Sequence, residues 1–193
     1  MTISDADRAV PLAEALLAAG VGAIEITLRT EAGLPAIESV ASRCPDICVG
    51  AGSIRQKGQF TRVLNAGARF CVSPGFSPGL LEEAEKTGAE LIPGAATAAE
   101  VLQLYECGYE FVKFFPAELS GGINMLKAIS APLPEICFFP TGGITASIAG
   151  DYLTQDMIVC VGGSWFVPPD RISAGDFTWI EEQAKAAMSV CHG

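Results

Sequence analysis

The sequence is short of histidine and of basic residues, and each shortage removes a class of chemistry. The one histidine, His192, stands next to the last residue. A Ser-His-Asp or Cys-His arrangement would have to be assembled at a chain end, where fraying is the rule. Acid–base work therefore falls to carboxylates, lysine or tyrosine. Lysine and arginine together number 12 against 22 acidic residues, for a formal net charge of −10. With no basic patch to neutralise a run of phosphates, nucleic acid is excluded as a main partner. A small anion held by a few Arg, Lys or backbone amides is still allowed. No apolar run reaches the roughly 18–20 residues needed to span a bilayer. The opening MTISDADRAV has neither the basic nor the apolar region of a signal peptide. The expectation is a cytoplasmic protein with no membrane partner. The seven cysteines are odd in number, and the C-x3-C spacing of Cys44 and Cys48 has no second pair to complete a zinc site. Cys48, Cys71, Cys137 and Cys160 sit in apolar runs and read as reduced core thiols.

What is present is a core-forming chain of 193 residues, half of them hydrophobic and 18% charged, which excludes disorder and fits one domain over 1–193. Short β-like runs recur at Ala23–Leu28, Ile47–Gly50, Arg69–Ser73, Glu90–Pro93, Glu110–Phe115, Ile136–Phe139 and Met157–Val161. Their starts are roughly 20–26 residues apart, the length of a strand–helix repeat. Helix-like stretches fill the gaps: Pro11–Ala19, Leu34–Ser42, Gly79–Lys86, Ala98–Glu106 and Asn124–Ile129. Four strands are preceded by Ala19-Gly20, Ala66-Gly67, Thr87-Gly88 and Cys107-Gly108, and Gly just past a helix end is the usual C-cap. The alternation predicts a parallel sheet covered by helices. An open doubly wound sheet and a (β/α)8 TIM barrel both satisfy it. Two features favour the barrel. No G-x-G-x-x-G turn follows an early strand. Gly-rich turns instead follow the last two strands, at Thr141-Gly142-Gly143 and Gly162-Gly163-Ser164, where many barrels hold a phosphate. The barrel's first strand would be reduced to the stub Met1–Ile3.

Three sets of residues break the apolar pattern. Lys113 stands inside Phe111-Val-Lys-Phe-Phe115, and the chain has only five lysines. Burial disfavours the ammonium form, and a neutral amine in a pocket attacks a ketone to form a Schiff base. The plainer alternative is a lysine at a strand end, reaching solvent or paired with an acid. In Ala23–Arg29, Glu25, Thr27 and Arg29 alternate with Ile24, Ile26 and Leu28. Glu25 and Arg29 then share one face, as a general base with an anion clamp or as a structural ion pair. The paired Gly-rich turns, with the Ser164 hydroxyl, present backbone N–H groups to an anion or serve as ordinary strand–helix turns. Phe138, Phe139 and Trp165 read as packing, and Glu181, Glu182 and Lys185 as a solvated helix face.

Along essentially its whole length the sequence resembles the 2-keto-3-deoxy-6-phosphogluconate (KDPG) and 4-hydroxy-2-oxoglutarate (KHG) aldolase family, the class I aldolases that include an Entner–Doudoroff enzyme. The resemblance is carried by Glu25-Ile-Thr-Leu-Arg-Thr30, Gly50-Ala-Gly-Ser53, Ser73-Pro-Gly75, Pro93-Gly94, Lys113-Phe-Phe-Pro-Ala-Glu118, Pro140-Thr-Gly-Gly-Ile144 and Gly162-Gly-Ser-Trp165. It implies that Lys113 forms the Schiff base with the C2 ketone and that Glu25 is the general acid/base, partly through water. It further implies that Arg29 and Ser53 hold the C1 carboxylate and that Pro74 and Thr141 line the substrate. Gly142, Gly143, Gly162, Gly163 and Ser164 would cradle the 6-phosphate. The implied reaction is reversible cleavage of KDPG to pyruvate and glyceraldehyde 3-phosphate, with KHG as a second substrate, no metal, no cofactor, and a homotrimeric assembly.

The chain departs from the family pattern at three places. Ser53 stands where Thr is usual, Ala95-Ala96-Thr97 where Ile-Ser-Thr is usual, and relatives carry about 20 further residues before the stub. Two rivals follow from the same residues. One is a phosphosugar isomerase or epimerase with Glu25 as base and no covalent intermediate; the other is a non-catalytic sugar-phosphate binder.

Overall fold

Alternation of apolar and polar residues sets the first strand. In β1 (Ala23–Thr27), Ile24 and Ile26 are buried while Glu25 between them is half-buried. β1 pairs in parallel with β2 (Cys48–Gly52), opposing Glu25 to Gly50 and Thr27 to Gly52. β2 pairs in parallel with β3 (Phe70–Val72), and the sheet order continues to β4 (Leu91–Ile92). β4 falls within the inferred run Glu90–Pro93 and stops before Pro93, which has no N–H to give to a ladder. β5 (Gly94–Ala95) starts a second parallel sheet, ordered with β6 (Phe111–Phe114) and β7 (Cys137–Pro140).

The computed structural model describes residues 1–191, so His192 lies outside the described residues. These residues form two compact units. The first comprises Met1–Val72, Ser77–Leu91 and the described residues from Ser164 onward. In it, α1 (Ala9–Ala18) follows a 3-10 turn at Ala6–Arg8 and packs on α2 (Gly33–Arg43) and on the C-terminal helix. Small and apolar residues on several sides of α1, from Ala9 to Leu16, are buried, as suits a helix held between two others. α3 (Gln59–Asn65) and α4 (Pro78–Thr87) lie against each other, and α8 (Pro169–Ala174) leads into α9 (Phe177–Cys191). The exposed Glu181–Lys185 ion pair on α9 bears out the solvated-face reading.

The second unit comprises Ser73–Phe76 and Ile92–Gly163, with α5 (Ala98–Glu106), α6 (Gly122–Ser130) and α7 (Ala146–Leu153) between its strands. α5 opens with a capping box. The Thr97 hydroxyl accepts from the Glu100 N–H at 3.3 Å, and the Glu100 carboxylate accepts from the Thr97 N–H at 2.9 Å. Backbone N–H bonds, that of Ala96 foremost, hold Glu100 below its ordinary carboxylate pKa. A depressed folded-state pKa adds stability above the unfolded value, and this is lost as the pH falls through the folded one. Thr97→Ala is expected to cost about 1 kcal/mol, read as a lower urea midpoint at unchanged slope.

Two expectations are corrected. Met157–Val161 is not a strand; it pairs with β7 through the isolated bridge Phe138↔Ile158, and a second bridge, Thr141↔Gly162, joins the residues just past each. The Phe138 N–H donates to the Met157 carbonyl at 2.7 Å, the Val159 N–H to the Phe138 carbonyl at 3.2 Å and the Gly162 N–H to the Pro140 carbonyl at 2.9 Å. Val159 and Cys160 are exposed all the same, so Cys160 is not a core thiol; Cys71 is. The four Gly C-caps are borne out, since Gly20, Gly67, Gly88 and Gly108 all have positive φ. Met1–Ile3 runs along β1 without a strand assignment. The Met1 carbonyl accepts from the Thr27 N–H at 3.0 Å, and the terminal ammonium donates to the Glu25 carbonyl at 2.5 Å. The architecture is α/β, with parallel sheets.

Candidate active site

In the second unit the site is built around Lys113. It sits in the middle of β6, only 6% exposed, with Val112 and Phe114 fully buried on either side. Its Nζ lies 5.2 Å from the centroid of the Phe115 ring and 5.9 Å from that of Phe139. Both rings offer π-faces within cation–π range, and both exclude water. The ladder opposes Lys113 to Phe139 on β7 and to Gly94 on β5. A side chain at residue 94 would strike the main chain of Pro74, its Cβ falling 2.5 Å from the Pro74 carbonyl carbon. Gly94 thus lets Pro74 close in beside the strand that flanks Lys113.

Thr141 follows β7 by one residue and shares the period-2 face of Phe139. Its hydroxyl is buried and has no hydrogen-bond partner within the protein, and a Cβ at Gly162 would lie 2.5 Å from it. A buried polar group left unpaired costs about 1–3 kcal/mol, and such an orphan needs an explanation; a bound ligand supplies one. Gly142 and Gly143 have φ of +102° and +83°. In this left-handed region a side chain would be strained, and successive N–H groups in such turns form anion-binding concavities. A Cβ on Gly142 would also lie 3.3 Å from the Phe115 ring, so the turn and the lysine share one aromatic wall. Gly162 pairs with Thr141, and Gly163 follows it at the end of this unit.

In the first unit, Glu25 on β1 lies over Gly52. A Cβ at residue 52 would overlap the Glu25 carboxylate, its distance to Cδ being 2.5 Å. Ser53 comes next, with φ +61°, the one non-glycine residue with positive φ among those described. The backbone on both sides fixes it there: the Gly52 carbonyl accepts from the Leu28 N–H at 2.9 Å, and the Ile54 N–H donates to the Val72 carbonyl at 3.0 Å. Strain of this kind concentrates at binding sites and is held by surrounding bonds. Arg29 is not on β1, which ends at Thr27. It stands exposed in the following turn, where its Nε donates to the Thr27 hydroxyl at 3.3 Å. Arg29 also lines a cavity of about 290 Å³ with Gln59 and Arg62. Ser164 is exposed and belongs to this unit, its carbonyl accepting from the Val167 N–H at 3.2 Å.

Sequence reasoning gave Phe139 to packing alone and missed Phe115 and Gly52. Phe115 and Phe139 form the wall around the lysine amine, and Gly52 makes room for Glu25. The run Lys113-Phe-Phe-Pro was the available signal for Phe115. The Gly52–Glu25 contact depends on register between β1 and β2 and has no local signature. Burial pushes the Cys71 thiol up to about 11. A thiolate is the reactive form, so this cysteine is inert at neutral pH.

The chain is similar to proteins of one family. A family model described as KDPG and KHG aldolase matches residues 1–183. The 2-dehydro-3-deoxy-phosphogluconate aldolase of Pseudoalteromonas atlantica is 44% identical over 193 residues, covering 100% of this chain and 90% of that protein. The KHG/KDPG aldolase of Escherichia coli is 41% identical over 188 residues, covering 97% and 88%. Among solved structures, the KDPG aldolase of Legionella pneumophila, with pyruvate captured as a covalent carbinolamine, superposes with a TM-score of 0.94 at 43% identity, covering 97% of this chain and 91% of that one. The chain belongs to the KDPG and KHG aldolase family.

Proposed function

We propose that the protein is a class I aldolase that cleaves 2-dehydro-3-deoxy-6-phosphogluconate reversibly to pyruvate and D-glyceraldehyde 3-phosphate, with 4-hydroxy-2-oxoglutarate as a second substrate yielding pyruvate and glyoxylate. The observation that carries the reading is the buried amine of Lys113 between two aromatic rings, in a chain of this family. The neutral amine attacks the C2 carbonyl to give a carbinolamine; Glu25, acting as acid, protonates its hydroxyl, and departure of water leaves a protonated imine and the Glu25 carboxylate. Glu25 takes the proton of the C4 hydroxyl as the C3–C4 bond breaks. The bonding pair moves into the imine and leaves an enamine, and the aldehyde departs. Protonation at C3 and hydrolysis then release pyruvate and restore the amine. The imine is the electron sink, so the scheme calls on no metal or cofactor.

Arg29 and Ser53 hold the C1 carboxylate in this scheme. Pro74 and the orphan hydroxyl of Thr141 line the substrate. Gly142, Gly143, Gly162, Gly163 and Ser164 take the phosphate. The same reading gives one (β/α)8 TIM-barrel domain over 1–193 with Met1–Ile3 in the place of its first strand, a homotrimer, and a cytoplasmic location. Among the described residues no helix is long and apolar enough to cross a membrane. The isomerase and binder readings have no support in the relatives found.

The test is intact mass after incubation with pyruvate and borohydride, followed by peptide mapping. A reduced pyruvyl adduct on Lys113 is expected; a well-folded sample that stays unmodified would overturn the Schiff-base reading. For the phosphate contact, Ser164→Glu sets an anion beside the substrate's dianion. It is expected to raise KM for the phosphorylated substrate about tenfold or more. An unchanged KM would remove Ser164 from the phosphate site.

A further inference from the structure

The second unit carries a buried tyrosine and an acid that the scheme above does not use. Tyr152, on α7, is 1% exposed, and its hydroxyl donates to the Glu118 carboxylate. Glu118 is the last residue of Lys113-Phe-Phe-Pro-Ala-Glu118 and begins a 3-10 turn. Three contacts tie it to the glycine turn. Its N–H donates to the Gly142 carbonyl at 3.1 Å, and the neighbouring Ala117 N–H donates to the Thr141 carbonyl at 2.9 Å. Its side chain lies on Gly143, where a Cβ would fall 2.7 Å from the Glu118 Cβ and 2.9 Å from Cγ. The carboxylate end sits instead by Gly122, where an added Cβ would lie 3.1 Å from Oε1 and 3.2 Å from the Tyr152 hydroxyl. The methylenes therefore floor the turn while the charge is anchored elsewhere. Burial, and then Glu118 itself, hold the Tyr152 phenol above its ordinary range, so it stays a neutral donor.

A carboxylate beside an anion-binding turn is a hazard, because an unanchored one competes with the ligand and repels it. We propose that Glu118 and Tyr152 are positioning residues for phosphate recognition: the tyrosine hydroxyl moors the carboxylate away from the Gly142-Gly143 turn that the Glu118 stem supports. This rests on the phosphate role given to that turn above. The consequence is selective, since only the phosphorylated substrate meets the turn.

The experiment measures kcat and KM for the phosphorylated substrate and for 4-hydroxy-2-oxoglutarate, and inhibition by inorganic phosphate. Tyr152→Phe keeps the ring and loses the mooring. It is expected to raise KM for the phosphorylated substrate, and the inhibition constant of phosphate, about fivefold or more. Its kcat, and both constants for 4-hydroxy-2-oxoglutarate, should stay near wild type. Adding Glu118→Gln to Tyr152→Phe removes the charge and should restore phosphate affinity, which a packing defect would not permit. If Tyr152→Phe does not fold, Glu118→Asp carries the same expectation, since the shorter stem cannot both lie on Gly143 and reach Tyr152. Equal effects on the two substrates, no effect on either, or failure of the double variant to recover would overturn the proposal. The wild-type measurements test the underlying reading separately. An enzyme that forms the pyruvate adduct but shows no preference for the phosphorylated substrate would overturn the phosphate role of the turn, and this proposal with it.

Discussion

Replacing Lys113 by arginine is expected to abolish the borohydride-trapped pyruvate adduct and to lower kcat/KM by roughly three orders of magnitude or more. The guanidinium keeps the positive charge, does not deprotonate at accessible pH and forms no imine. Charge, hydrogen-bonding capacity and covalent chemistry are thereby separated. A lysine that acted only as an electrostatic helper would be replaced by arginine at modest cost, so substantial turnover in this variant would restore the isomerase-like mechanism. The site is tight, with Lys113 6% exposed between the rings of Phe115 and Phe139. The guanidinium is bulkier than an amine, so Lys113→Met serves as the matched control. It fills the same unbranched path without a charge to desolvate and should fold at least as stably as the parent while remaining inactive.

The second large effect is expected from a residue with no functional group. Gly52→Ala adds one methyl at the point the Glu25 carboxylate occupies. The strand cannot retreat easily, because the Leu28 N–H is bonded to the Gly52 carbonyl and Thr27 is in register with Gly52. Glu25 must turn away, and a displaced general base forfeits about 10²- to 10⁴-fold in rate. The expected result is a fall in kcat of about a hundredfold or more with the pyruvate adduct still trapped at Lys113. Gly50→Ala provides the contrast. Its added methyl meets the ring of Phe70, not a carboxylate, so it should lower the melting temperature by overpacking and leave the chemistry of the folded fraction alone. Should Gly52→Ala turn over at the parental rate, Glu25 is not the group that moves the proton.

Much of the fold was open to reading along the chain, because its signals are local. Six of the seven strands overlap a run inferred from β-like patterning, and each helix end marked by Gly20, Gly67, Gly88 or Gly108 adopts the left-handed turn that glycine permits. The failure at Met157–Val161 also has a physical cause: the run pairs with β7 at one isolated bridge, and its pairing does not extend into a strand despite its apolar composition. Composition says that a run can be a strand; whether it becomes one depends on a neighbour to bond with.

The site divides in the same way. Lys113 betrayed itself as a charge inside an apolar strand, Glu25 as an acid on an alternating one, and the glycine turns by their own composition. These are properties of short segments, legible along the chain before any fold is known. Tertiary structure decided what each group faces. Only the β1–β2 register sets Gly52 under Glu25, only the β6–β7 register brings Phe139 beside Lys113, and only packing joins Tyr152 to Glu118, 34 residues away. Residues remote along the chain meet through ladders and packed helices, so no local pattern encodes the meeting. The sequence supplied the reactive groups, and the fold supplied their surroundings, because desolvation, orphaned hydroxyls and steric clearance exist only between segments that have already come together.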